Sequence, residues 1–587
     1  MQLHQAILQI ETPLGQKSYA LTPGRANSFD ELHADFRADP ALNGVRYTLF
    51  LHPKTDLTLR RLEVQFEHPC GPDTRFLANG YQSWSESRLL PTGTGIQPLR
   101  RIARPFMGCY GDEHIPGIVR GRGHAHSWSY TYLTEQDGSI TLLGSLAEHT
   151  GFTLFSLDRV NGMLSVRKDL ERLPLAHSFP GLDFWVGQGK EADQFQAYFS
   201  LLKQAAQWPE QSSPASLPGL GWTSWYRYFN KITEAIILEN AAEIAASGLP
   251  FRYVQIDDGW QGAVGDWRTV QPAFPNGMGH VANQIKAKGL MPGIWLAPFV
   301  ASARSELARR HPEWLQKTPG GKPLRAGWNP MWGGWFYALD FYHPGVQEYL
   351  SGVFHVVTEQ WGFELLKLDF LFAACLTPPP GKMRGQVMAD AMEFLRRQVG
   401  RRKLLACGVP LAPAFGWSDI CRIGGDVHLA WEHTWLARLR HRERVSTLAS
   451  LRSTLARWQL NGHGFHNDPD VFILRSDAQR LTPVQQNTLL TVNALLGGVL
   501  FTSDNVGTYT PEQRNELEEA LGWAGSRVTQ VTERSEDVFR IDFEQNGGYF
   551  SALCNLNRQQ KQTMQPGGDG WIELQPYETI ILKRSNI

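Results

Sequence analysis

Only six cysteines occur in 587 residues (Cys70, Cys109, Cys375, Cys407, Cys421 and Cys554), with no CxxC pair. That scarcity excludes a disulfide scaffold and suits a reducing compartment. Neither sign of charge is in excess, since Lys+Arg and Asp+Glu both total 57. A basic surface that neutralises nucleic-acid phosphates is therefore not expected. Long apolar runs are missing too. The longest, Leu489 to Phe501, is broken by Thr491 and Asn493 and is too short to span a bilayer. The first twenty residues lack a basic stretch, a long apolar segment and a small-residue cleavage site, so a cytoplasmic location is expected and no membrane partner. No glycine-rich dinucleotide fingerprint, G-x-S-x-G elbow or P-loop is found, and no cofactor is expected.

Tryptophan is what the sequence has in plenty: 20 residues, against 16 Tyr and 10 Met. An indole has a broad apolar face and one N–H donor, which suits a partner that is apolar on one side and hydroxylated on the other. A sugar is such a partner, although large cores and domain interfaces also consume tryptophan. Charged residues make up 19% and hydrophobic ones 42%, enough to build several ordinary cores.

The pattern divides the chain. Residues 1–189 read as short alternating strands, among them Arg46–Leu51, Leu57–Phe66 and Ile140–Leu143, and predict an N-terminal antiparallel β-sandwich. Residues 190–219 read as a linking helix, with Phe195, Phe199, Leu202 and Ala206 at helical spacing, then a Ser/Pro-rich connector over 211–219. Over 220–507 strands and helices alternate. Eight strands are expected, near 221–225, 253–257, 292–299, 364–370, 404–407, 420–423, 464–467 and 499–502. Apolar strands between helices indicate a parallel sheet covered on both faces, here a (β/α)₈ barrel. Residues 508–587 return to short strands and predict a small C-terminal β domain.

Barrel enzymes of this kind place their chemistry at the C-terminal ends of the strands. Strand 2 ends in Asp257-Asp258-Gly259-Trp260, strand 4 in Lys367-Leu368-Asp369, and strand 6 in Arg422-Ile423-Gly424-Gly425-Asp426. Strand 7 runs into His466-Asn467-Asp468-Pro469-Asp470. Lys367 and Asp369 share a face at strand period two, and the ammonium would keep Asp369 ionised as a nucleophile; a structural ion pair is the plainer alternative. Asp257 and Asp258 suit two sugar hydroxyls, with Trp260 over the ring's apolar side, or else simply form a turn. Asp426 follows a flexible Gly-Gly pair, with Arg422 offering a planar fork nearby. Two carboxyl groups facing one sugar are what glycosidic cleavage needs, and retention of configuration requires them about 5–5.5 Å apart. His124/His126 and His463/His466 read as hydrogen-bonded or surface histidines, and no metal is expected.

These segments resemble the α-galactosidases (melibiases) of glycoside hydrolase family 36, which share a clan with family 27. The matching pieces, in family order, are GWTSWY, IDDGW, GIWLAPF with HPEWLQK, LLKLDF, RIGGDV and HNDPD. The resemblance implies a retaining, exo-acting hydrolase of terminal α-galactosides, with Asp369 as nucleophile and Asp426 as acid/base. It implies that Asp257, Asp258 and Lys367 hold the 3-, 4- and 6-hydroxyls, that Arg422, Cys407 and Gly408 lie near the 2-position, that Trp222 walls the ring, and that Trp84 of the N-terminal domain reaches the rim. It also implies a small carbohydrate substrate and a homo-oligomer, dimer or tetramer. Two departures touch the expected rim: Ala297-Pro298-Phe299 stands where many members carry E-P-E, and Val409-Pro410-Leu411 replaces a glycine-rich run. An α-N-acetylgalactosaminide or α-glucoside as substrate, galactosyl transfer to a sugar, and a silent carbohydrate-binding protein are the alternatives.

Overall fold

The structure is a computed structural model that describes residues 1–68, 70–71, 73–135, 138–206, 208, 219–566 and 570–584. The predicted connector over 211–219 lies outside the described residues except for Gly219.

The N-terminal region holds two antiparallel sheets, of seven and eight strands. Gln2–Thr12 turns Ala6, Leu8 and Ile10 inward at period two, and Leu32–Ala41 does the same with Leu32, Ala34 and Phe36 from the other sheet. The two inner faces share one apolar core, as in a sandwich. The linking helix, Glu191–Ala206, is anchored on this region by Tyr198, whose hydroxyl donates to the Ser145 carbonyl at 2.9 Å. Its Phe199 packs on Phe415 and His463 of the following region.

Parallel strands follow: β1 (Gly219–Thr223), β2 (Phe251–Ile256), β3 (Met291–Leu296), β4 (Leu365–Leu368), β5 (Lys403–Ala406) and β6 (Ile420–Arg422). The seventh, β7, comes in two pieces, His466–Asp468 and Val471–Phe472, and β8 is Val499–Thr502. The first piece of β7 pairs with β6 and the second with β8, which in turn pairs with β1, so the sheet curls back on itself into a barrel-like core. The break in β7 falls at Asp470, whose φ of 77° is left-handed. Leu365 to Leu368 is buried throughout, as a strand between two helical layers requires. Helix starts follow ordinary capping: Thr233 and Thr482 accept from the backbone N–H three residues on.

Two elements differ from the sequence pattern. Between β3 and its following helix (Pro344–His355) the chain makes an antiparallel three-stranded excursion, Val300–Ser302, Arg325–Asn329 and Gly334–Ala338. The part of the chain predicted as C-terminal β domain opens instead with a helix, Pro511–Trp523, which packs against Pro483–Leu496. Antiparallel strands begin only at Arg527, forming a four-stranded and a two-stranded sheet. No helix among the described residues is long and apolar enough to cross a membrane.

Candidate active site

A pocket of about 590 Å³ opens at the C-terminal ends of the barrel strands. Asp257, Asp258, Lys367, Asp369, Asp426 and Trp84 all line it. Five of these come from the ends of β2, β4 and β6, alternate strands that deliver side chains to one end of the barrel-like sheet.

β2 stops at Ile256, so Asp257 and Asp258 both lie past the last pleat and both face the pocket. Asp257 Oδ2 accepts from Lys367 Nζ at 2.8 Å and from Gln255 Nε2 at 2.8 Å, and Oδ1 accepts from the Asp258 N–H at 2.9 Å. Burial pushes this carboxyl up, but Lys367 outweighs it and the net shift is downward. Asp258 accepts from Gln261 Nε2 at 2.6 Å and Trp332 Nε1 at 2.7 Å; without a cation in contact, burial raises it to about 6. Lys367 thus pairs with Asp257 on the neighbouring surface of the barrel, not with Asp369 as the strand period alone suggested.

Asp369 follows β4 directly. Its Oδ2 accepts from Trp295 Nε1 at 2.9 Å and its Oδ1 from the Phe370 N–H at 2.9 Å. Burial pushes its carboxyl up; Lys367 and Trp295 oppose this, and the negative charge of Asp426 adds to it. Phe370 holds a left-handed backbone, φ 55°, an uncommon state for an aromatic residue, and is packed between Trp84 and Trp332.

Asp426 Oδ1 accepts from Arg422 Nη1 at 2.8 Å. Arg422 does not line the pocket. It is buried behind Asp426, where it also meets Asp468 at 3.1 Å and Asp470 at 2.8 Å. Asp470 accepts from the Tyr226 hydroxyl and from the Val427 N–H at 2.7 Å, fixing the backbone beside Asp426. Three carboxyl groups share one guanidinium. Burial lifts Asp470 to about 7 even though Arg422 opposes it.

Other expected site residues lie elsewhere. Trp222 is 0% exposed and donates to the Asp504 carbonyl inside the barrel, so it does not wall the pocket. Trp260 is likewise 0% exposed and points into the layer under β3, donating to the Trp295 carbonyl. The indoles that do face the pocket beside the acids are Trp295 and Trp332. Cys407 sits behind the wall and accepts from Trp84 Nε1 at 3.2 Å. At Gly408, φ 57°, a Cβ would lie 3.0 Å from the Trp84 ring and the Phe370 nitrogen, so glycine is required for the loop to close over β5. Neither Ala297-Pro298-Phe299 nor Val409-Pro410-Leu411 lines the pocket. Val409 instead receives a loop of the N-terminal region: its carbonyl accepts from the Ser83 N–H at 2.8 Å. Arg457, fully buried, clamps the same loop through Asn79 and the carbonyl of Ser83. His126 meets Asp112 at 2.7 Å, and among the described residues no cluster of three or more metal-ligating groups is found.

The melibiase family model matches residues 188–375. An α-galactosidase of Thermus thermophilus, solved with p-nitrophenyl α-D-galactopyranoside, superposes with a TM-score of 0.70 at 29% identity, covering 88% of this chain and 98% of that one. The chain is thus similar to the melibiases over residues 188–375 and to an α-galactosidase over most of its length. α-Galactosidase AgaA of Geobacillus stearothermophilus is 26% identical over 288 residues, 46% of this chain and 36% of AgaA. A structure of an AgaA variant with 1-deoxygalactonojirimycin gives a TM-score of 0.65 at 13% identity, over 98% of this chain and 88% of that one. An A-type blood α-D-galactosamine galactosaminidase of Flavonifractor plautii is 29% identical over 175 residues, 28% of this chain and 16% of its own length. In these curated relatives the match spans well under two thirds of the relative's length.

Residues that the sequence pattern missed include Trp295, Trp332, Tyr226, Tyr110, His441 and Glu443, all lining the pocket. Trp295 had a local signal, because it lies near the end of an apolar strand. Trp332 and Tyr110 had none, since Trp332 comes from the three-stranded excursion and Tyr110 from the N-terminal region.

Proposed function

We propose that the protein is an exo-acting retaining α-galactosidase built on a (β/α)₈ barrel. The observation that carries this reading is that Asp369 and Asp426, from different strand ends, line one sugar-sized pocket beside Asp257, Asp258 and Lys367. Similarity over almost the whole length of a structure named an α-galactosidase supports the same reading.

In the first step an oxygen of Asp369 attacks the anomeric carbon while Asp426 gives its proton to the departing oxygen; the glycosidic bond breaks and a glycosyl-aspartate forms. In the second, Asp426 takes a proton from water, whose oxygen displaces Asp369 and restores both groups. Trp295 and the Phe370 N–H stabilise Asp369 as it leaves. The Asp257–Lys367 pair and Asp258 with Trp332 hold the galactosyl hydroxyls by charge-assisted hydrogen bonds. Arg422 aims Asp426 and stays out of contact with the sugar. Six unpaired cysteines support a cytoplasmic location.

A panel of aryl α-glycosides tests the assignment. The α-galactoside is expected to exceed the α-glucoside and the α-N-acetylgalactosaminide by at least about 100-fold in kcat/KM, which sugar-specific hydrogen bonds can supply. Preference for the N-acetylgalactosaminide would move the assignment to the galactosaminidase reading. Asp369→Asn should cost about 10⁴-fold or more in turnover; full turnover by that variant would refute the mechanism.

A further inference from the structure

The backbone directly after Asp369 is strained, and something must hold it in that state. Phe370 is left-handed, φ 55°, which is unfavourable for any residue with a Cβ and persists only where the surroundings fix it. Its N–H donates to Asp369 Oδ1, so the course of the chain here decides how the carboxylate is presented. The chain then enters a short 3₁₀ turn, Leu371–Cys375, in which every residue is buried. β5 ties one side of this turn: the Phe372 N–H donates to the Gly408 carbonyl at 2.7 Å. The other side is held by Gln316, a side chain of the HPEWLQK segment that has no task in the two chemical steps. Gln316 is 7% exposed and does not line the pocket. Its Nε2 donates to the carbonyls of Leu339 at 3.0 Å, Ala373 at 3.1 Å and Ala374 at 3.0 Å, and its Oε1 accepts from the Thr377 N–H at 3.3 Å. Three carbonyls at one end and an N–H at the other leave the amide a single orientation. Its own backbone is fixed in turn, donating to Ala338 at 2.9 Å and accepting from Leu324 at 2.8 Å.

A buried amide is costly unless its hydrogen bonds are used, and here they are spent on one neighbour. Closing the excursion after β3 on itself would need only the bond to Leu339; the others go to the turn and its exit. We propose that Gln316 is a positioning residue for Asp369, holding the 371–375 turn so that left-handed Phe370 keeps its N–H on the attacking carboxylate. This rests on the reading of Asp369 as nucleophile and adds the residue that fixes its aim. Without the amide the turn relaxes the strain at Phe370, and Asp369 loses its alignment, not its charge. A misplacement of about 1 Å is enough to slow a reaction about 100-fold.

Labelling by an activated 2-deoxy-2-fluoro-α-galactoside separates aim from folding. The final stoichiometry counts competent sites, whereas the rate constant reads attack by Asp369 within them. Gln316→Met keeps the length of the side chain and removes the amide; Gln316→Glu keeps the length and sets an acceptor against carbonyl oxygens. Two variants guard against one that misfolds. Each should label fully at Asp369, with a saturating rate constant about 10- to 100-fold below that of the parent and a nearly unchanged half-saturating concentration. Glycine takes the left-handed turn without strain, so in a Phe370→Gly background Gln316→Met should cost about threefold at most. A rate constant equal to the parent's in both variants, whatever the stoichiometry, overturns the positioning role. An undiminished loss in the Phe370→Gly background overturns it as well. A parent that turns over an aryl α-galactoside with no label on Asp369 overturns the nucleophile reading beneath it.

Discussion

On the floor of the pocket Asp257, Lys367 and Asp369 stand at the ends of β2 and β4, two strands of one sheet, and the Lys367–Asp257 contact closes at 2.8 Å. At the rim Ser85 and Glu443 meet across 358 positions of sequence, with Tyr110 and Trp328 arriving from two further segments. The floor is charged and made by the ends of one barrel-like sheet; the rim is largely aromatic and made by loops from distant parts of the chain. Fixed strand ends aim charges accurately, and they leave the wall that meets the leaving group free to vary. The difference predicts that floor substitutions damage chemistry and stability together, whereas rim substitutions redistribute preference among substrates.

The largest effect should come from the floor. Lys367→Met leaves Asp257 buried without its cation, which should lower the unfolding free energy by about 3–5 kcal/mol in a urea titration. It should also reduce kcat/KM for an aryl α-galactoside by about 10³-fold. A stability near that of the parent would mean the pair contributes little to the floor. Next comes Trp84→Ala at the rim. Cavity formation should cost about 3–5 kcal/mol, yet KM for raffinose should rise more than KM for the aryl substrate. A kcat loss as deep as that of Lys367→Met would erase the distinction between floor and rim.

Asp470→Asn sharpens the floor itself. Asp470 shares Arg422 with Asp426 and Asp468 and accepts from Tyr226; Asp369, Lys367 and Cys407 are the other ionisable groups around this cluster. Burial raises Asp470 to about 7, so its negative charge develops near neutral pH beside Arg422, and asparagine removes that charge. The alkaline limb of the pH–rate profile should therefore move down by about one unit; an unmoved limb would detach Asp470 from the acid/base step. The smallest effect should be that of Trp435→Ala, an indole 59% exposed near the rim, which should stay within about 0.5 kcal/mol of the parent.

Much of the barrel was legible because its signals are local. The strand Val499–Thr502 matches its sequence pattern residue for residue, and the strand-end rule located the acidic groups without knowledge of their partners. What the pattern could not supply was the pairing across strands. Lys367 and Asp369 share a face, but Lys367 reaches Asp257 because β3 lies between β2 and β4 and the barrel surface curves there. Trp260 sits beside Asp258 in sequence, yet the turn at Gly259, φ 122°, sends its indole under β3 and leaves Trp332 to bind the carboxylate. Similarly, Trp84 is indistinguishable from a sandwich-core tryptophan until Arg457 is seen to hold its loop against the barrel.

The central claim is that Asp369 becomes covalently attached to the sugar. Incubation with an activated 2-deoxy-2-fluoro-α-galactoside, which slows the second step, followed by peptide mass analysis, tests it most directly. The account predicts one fluorosugar on the peptide that contains Asp369, absent from Asp369→Asn. A label on another carboxylate, or turnover with no label at all, would contradict it.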